Sequence, residues 1–329
     1  MPMPVPVAVP CRATNLFFPR VGRNRLFGQC PSGHCGAAPA GGGPTSPVGP
    51  LSVAAPTVTR MATLPNPLPQ LAADPSGRVL GLEIPLPQGR LIDTTDDGPW
   101  HEPLLWCADE AATPGAWTAV QPARRTAGLL PVLLDVGGRQ GGPEGWELLP
   151  GEMSYPGDHD ADEVLAEFWD ACATAEDPDW PGLTDAPASA PGAAADPDAH
   201  AAETADALTK DPSRLADPRL ALVPARRSAD IPAAIGWTGP LNHENDVARL
   251  CAVLRSWEDR FGIRVVALTF DQLVLSVAAP PTTEAEADAL AVEHFAFCPD
   301  NIWQGTTDGT RGSYARTLLG APLWSFWWD

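Results

Sequence analysis

Residues 263–278 read IRVVALTFDQLVLSVA, and this run decides the fold. Ile263–Phe270 and Leu273–Ala278 are apolar, strand-like segments separated only by Asp271 and Gln272. Parallel strands need a crossover of a dozen or more residues, so this connection predicts an antiparallel hairpin. Pro280 and Pro281 end the second strand, because proline cannot donate to a ladder. Upstream, Val247, Leu250, Cys251, Leu254, Trp257 and Phe261 recur at helical spacing and form one stripe for packing on a sheet. Asn242 or Asn245 is expected to cap that helix, and Gly262 to stop it. Downstream, Thr283 and Glu286 make a capping box, and a helix is expected from Glu284 to Phe297, where Pro299 forbids continuation.

A first strand at Leu220–Ala225, a short helix around Ser313–Leu319 and a last strand at Leu323–Trp328 complete the pattern. The order is β-α-β-β-α-(α)-β, an α+β domain over residues 218–329. A ferredoxin-like split βαβ sandwich is one economical arrangement for it. A smaller α+β domain is expected over 61–178, from strands at Val79–Leu86, Pro103–Cys107 and Leu129–Asp135 and a helix from Asp160 to Ala173. Asp160 caps that helix, and Val164, Leu165, Phe168, Trp169 and Cys172 give it an apolar face. Residues 179–217 are Ala, Pro and Asp with almost no large apolar side chains, which predicts a flexible linker.

Residues 1–60 are rich in Pro and Gly and hold five Arg with no Asp or Glu. They read as a disordered tail, or as sequence preceding a true start at Met61. The rest carries sixteen basic against forty-one acidic residues. So acidic a body repels phosphate backbones and anionic headgroups, so neither nucleic acid nor membrane surface is an expected partner. With no secretory leader pattern and no apolar run long enough to span a bilayer, a cytoplasmic protein with reduced thiols is expected. Lys210 is the only lysine beside twenty Arg, a bias typical of a GC-rich bacterial gene.

No cofactor signature emerges. Gly137–Gly145, GGRQGGPEG, lacks the Lys-Ser/Thr pair of a phosphate loop. Cys30, His34 and Cys35 lack the second ligand pair of a structural zinc site. The acids Asp158, Asp160, Asp162 and Glu163 fail the calcium-loop pattern, which would need glycine at Glu163 and a bidentate acid at Trp169.

The phrases Leu254–Gly262 (LRSWEDRFG), Asp271, Pro280–Pro281, Glu293–Asp300 (EHFAFCPD) and Trp324–Asp329 (WSFWWD) resemble the bacterial domain-of-unknown-function family 4253, over roughly residues 220–329. The resemblance implies an uncharacterised bacterial protein and no particular reaction.

The candidate chemical constellation is Asp271, Glu293, His294 and Asp300, since carboxylates with one His can hold a divalent metal and activate water. Each has a competing structural role. His294 shares a helix face with Ala287, Leu290, Ala291 and Phe297, Asp271 suits a turn, Glu293 could pair with Arg260 or Arg264, and Asp300 follows Pro299 in a turn. In WSFWWD, alternation puts Trp324, Phe326 and Trp328 on one face and leaves Trp327 and terminal Asp329 for an interface. The expected function is a non-catalytic intracellular interaction module with an unidentified protein partner. The alternative is a metal-dependent hydrolase built on the four-residue constellation.

Overall fold

The computed structural model describes residues 66–74, 76–81, 86–187 and 196–328. The described residues all fall within one compact unit. Its strands are β1 (Gly89–Ile92), the short β2 (Thr94–Thr95) and β3 (Gly98–Pro99), β4 (Leu105–Ala111), β5 (Leu129–Asp135), β6 (Pro218–Pro224), β7 (Ile263–Leu268), β8 (Gln272–Val277) and β9 (Leu323–Trp327). Its helices are α1 (Leu68–Ala73), α2 (Ala116–Val120), α3 (Ala123–Ala127), α4 (Ala161–Cys172), α5 (Pro197–Leu208), α6 (Ile231–Ile235), α7 (Val247–Phe261), α8 (Glu284–Phe297), α9 (Asp300–Trp303) and α10 (Arg311–Leu318).

Seven strands make one mixed sheet in the order β1-β4-β6-β5-β7-β8-β9, while β2 and β3 pair separately. The fold class is α+β, as expected. The 263–278 run closes as an antiparallel hairpin with Leu268 opposite Leu273. Among the described residues only β5 and β7 pair in parallel, through Leu133 and Leu134. Pro131 of β5 has no N–H to give, and β7 joins β5 only beyond it.

Alternation along the strands sorts side chains onto two faces. Leu130, Val132 and Leu134 of β5 join Val265, Leu273, Leu275 and Phe326 in the larger core, under α4, α7, α8 and α10. Leu129, Leu133, Leu220, Leu222 and Val274 face the other way, against Ala201, Ala202, Ala205 and Leu208 of α5.

That arrangement corrects three expectations. The boundary between a 61–178 domain and a 218–329 domain does not divide the sheet, because β6 is inserted between β4 and β5. The all-buried LLPVLL of β5 needs strands on both sides, and it finds them in β6 and β7. Secondly, β6 lies antiparallel to β5 and β5 parallel to β7, so β6 and β7 run oppositely and the α7 connection is not a split βαβ crossover. The ferredoxin-like arrangement is not formed. Thirdly, the described part of the 179–217 linker is docked. Alanines give α5 an apolar face of low volume that packs on the sheet. Leu183 packs against the larger core, and the Trp180 indole donates to Asp162 at 2.8 Å. Residues 188–195 of that stretch lie outside the described residues.

Local signals follow the sequence closely elsewhere. Asp160 accepts from the amides of Asp162 and Glu163, and Thr283 and Glu286 form the capping box. Asp246, rather than Asn242 or Asn245, caps α7, accepting from the Ala248 amide. Gly262 ends α7 at φ +62°, a conformation glycine adopts without a Cβ penalty. Arg78–Leu80 is a 3-10 turn rather than the start of a strand, and Leu82–Pro85 lie outside the described residues, as do 1–65 with Cys30, His34 and Cys35.

Candidate functional site

The segments His294–Asn301 and Leu323–Trp328 meet in space. Helix α8 carries Glu293 and His294 into the larger core, both fully buried. The two Glu293 oxygens receive four N–H donors. Arg260 grips them through Nη1 and Nη2 at 2.7 Å each, the Trp257 indole donates at 2.8 Å and the Thr184 amide at 2.7 Å. Arg260 is itself mostly buried and also donates to the Thr184 carbonyl and the Ser256 hydroxyl. A carboxylate so bound has its acceptor capacity spent on structure.

His294 stands among aromatic rings, with centroids at 4.7 Å to Trp257, 4.6 Å to Trp324 and 4.9 Å to Phe326. Its Nδ1 lies 3.0 Å from the Tyr314 hydroxyl, and its Nε2 is buried without a partner among the described residues. Burial, and secondarily the Arg260 charge, push its pKa well below the ordinary histidine value. The ring is held neutral in the core.

Next along the chain, Asn301 reaches the sheet edge. The Trp328 amide bonds the Asp271 carbonyl at 3.3 Å, which fixes the pairing between β8 and β9. The antiparallel alternation then turns the amides of Ser325 and Trp327 outward. Asn301 Nδ2 donates to the Ser325 carbonyl at 2.6 Å, and Asn301 Oδ1 accepts from the Trp327 amide at 3.2 Å. The Cys298 thiol donates to the Trp327 carbonyl at 3.0 Å. Two side chains thus take the Ser325 carbonyl and both backbone groups of Trp327 on the outer edge of β9. The Tyr314 hydroxyl, 3.3 Å from Asn301 Nδ2, joins this plug to His294. Burial pushes the Cys298 thiol up to about 12, so it is not a thiolate nucleophile near neutral pH.

The remaining candidates occupy turns and surface. Asp271 closes the β7–β8 hairpin, its Oδ1 accepting from the Thr269 hydroxyl at 3.0 Å. Asp300 opens α9 and accepts from Gln304 at 3.1 Å. Asp271, Glu293 and His294 share no hydrogen bond or ion pair among the described residues. Among the described residues no group of three or more His, Cys, Asp or Glu could hold a metal ion. Trp327 is part-exposed and Asp329 lies outside the described residues.

One surface opening lies nearby, a cleft of about 360 Å³. Arg311 lies in its wall, paired with Asp177 at 2.6 Å and stacked 5.0 Å from the Trp169 ring and 5.3 Å from Phe295. Trp303, 44% exposed, leans edge-on against Phe295.

Sequence reasoning singled out Glu293 and His294 and named Arg260 as one possible mate for Glu293. It missed Asn301 and Tyr314 as partners of β9 and of His294. Their only sequence signal is proximity to the HFAFCPD phrase, because their targets lie elsewhere in the chain.

The family model described as a domain of unknown function (DUF4253) matches residues 219–329, the C-terminal part of the chain. The match begins inside β6 and excludes β5, so in this structure its β6 and β7 are bridged by a strand from outside it. No curated protein and no solved structure matches the chain significantly. Among the described residues no helix is long and apolar enough to cross a membrane.

Proposed function

We propose that this chain is a non-catalytic protein-interaction module that meets its partner through tryptophans beside α9 and β9. The observation that supports this reading is the division of labour among the chemistry-bearing groups. Glu293 and Cys298 are held by internal partners and His294 is enclosed by aromatic rings, whereas Trp303 leaves 44% of its surface exposed at the rim of the Arg311 cleft. Trp327 adds a second part-exposed indole on the last strand. Tryptophan contributes large apolar area with an N–H handle and is enriched among residues that dominate binding energy.

The test is affinity capture on the immobilised full chain, with Trp303→Ala and Trp327→Ala beside the wild type. Both side chains are partly outside the core, so each variant should stay within about 1 kcal/mol of wild-type stability by urea unfolding. The same partner band should fall at least tenfold with one or both variants. Equal capture by all three proteins would remove the tryptophans from the interface.

A further inference from the structure

The two edges of the seven-stranded sheet are finished differently, and the geometry points to the β1 edge as a docking site for an extended basic peptide that adds an eighth strand. At the far edge, Asn301 and Cys298 take the Ser325 carbonyl and the amide and carbonyl of Trp327 in β9. At the near edge, the Asp109 amide donates to the Gln88 carbonyl at 2.9 Å, and the β1–β4 register runs from Gly89 opposite Ala108 to Ile92 opposite Leu105. Antiparallel alternation then turns the backbone groups of Gln88, Arg90 and Ile92 towards β4 and those of Gly89 and Leu91 outward. Among the described residues nothing bonds these outward N–H and C=O groups. Gly89 and Arg90 are exposed.

Protein edges are ordinarily blunted by proline, a bulge, charge or a covering element. Strand β1 has no proline and no bulge, and its one charged side chain, Arg90, is neutralised. Its protection is shortness, which limits an incoming strand to about four backbone hydrogen bonds from two residues. Charge must supply the remaining affinity and the choice of partner.

The charge is acidic. Arg90 is the single base of Gln88–Asp97, and Asp109 at 2.7 Å and Glu144 at 2.6 Å already hold it. Asp93, Asp96 and Asp97 follow directly and are exposed. A strand laid along β1 therefore runs beside carboxylates that an Arg- or Lys-bearing peptide would neutralise. A second copy of this chain, at net charge −20, would bring like charge to the same edge. The inference goes beyond the tryptophan interface, since β1 and β9 close opposite ends of the sheet.

The experiment titrates the full-length chain with a fluorescein-labelled decapeptide of alternating Arg and Val. A control peptide has the same sequence with every amide N-methylated, which keeps the charge and removes the donors. Backbone amide exchange of the protein is followed alongside anisotropy. The parent peptide should bind and slow exchange at Gly89 and Leu91 at least tenfold, and the methylated control should bind at least tenfold more weakly. Combined Asp93→Asn, Asp96→Asn and Asp97→Asn substitutions, all on exposed side chains, should weaken the parent about tenfold. Equal binding of both peptides, binding without protection of Gly89 and Leu91, or no binding would each overturn the proposal. So would a dimer of the free chain in which those two amides are already protected, which would assign the edge to a second copy. Trp303→Ala and Trp327→Ala should leave peptide binding unchanged, so this inference and the tryptophan reading fail separately.

Discussion

The β9 edge and the β1 edge close the same sheet by opposite means. At β9, the Asn301 carboxamide of α9 and the Cys298 thiol at the end of α8 bond the Ser325 carbonyl and both backbone groups of Trp327, and behind them stands an aromatic and ionic core built on Trp257, Glu293 and His294. At β1, a four-residue strand with an already paired arginine faces outward with nothing across from it among the described residues. The contrast gives the conspicuous C-terminal phrases a structural meaning. Buried His, Cys and Glu beside clustered tryptophans read as chemistry when seen one at a time, yet here Glu293 and His294 brace the core and Cys298, with Asn301, caps the β9 edge.

The comparison breaks hardest at Glu293. Replacing Glu293 with Ala leaves Arg260, whose side chain is only 14% exposed, without its carboxylate, and removes the acceptor for Trp257 and Thr184. Losing one partner of a buried pair costs about 3–5 kcal/mol, so the urea midpoint should fall by that equivalent. A loss under about 1 kcal/mol, the range of exposed pairs, would mean that the network does not anchor α8.

Acid acts on the same side of the molecule. Burial pushes His243, whose ring packs on Phe168, down to about 4, and burial with the Arg260 charge holds His294 well below the ordinary histidine value. Both folded values lie below the unfolded histidine value near 6.5, so the unfolded chain takes up protons first. Their contribution is complete above about pH 6.5 and is lost as the pH falls towards the folded values. For His243 alone the loss should reach about 2 kcal/mol by pH 5. Urea unfolding at pH 7.5 and pH 5 measures it, and unchanged stability would contradict the neutral, buried assignment.

Much of this was legible in the sequence and some was not, for reasons that differ by residue. The β7–β8 hairpin, the α7 stripe and the α8 capping box are local patterns, so short spans specify them. The insertion of β6 between β4 and β5 depends on pairing Leu222 with Trp106 and Pro131 across long separations, which periodicity does not encode. Helix α5 escaped notice because its packing face is alanine, apolar but too small to stand out in composition. The α7 cap fell to Asp246 although two asparagines precede it, since all three residue types cap comparably and only backbone placement selects. Asn301 reads as a turn residue after Pro299. Its role depends on Ser325 and Trp327, beyond any local window.

A smaller perturbation sharpens the contrast by opening the second edge. Asn301→Asp keeps the shape of the plug but sets a carboxylate oxygen against the Ser325 carbonyl in place of the donor. Leaving that carbonyl unpaired should cost about 1–2 kcal/mol. It should also make self-association at high concentration detectable by sedimentation, because β9 then presents an unfilled edge. A stable, strictly wild-type hydrodynamic profile would show that Asn301 does not guard β9.

The most direct test of the central claim is residue-resolved amide hydrogen exchange on the unliganded full-length chain. The Trp327 amide, held by Asn301, should exchange at least about a hundredfold more slowly than the outward amides of Gly89 and Leu91, which should stay close to unstructured-peptide rates. Equal protection of Trp327 and Leu91 would contradict the account, because the two edges would then be finished alike.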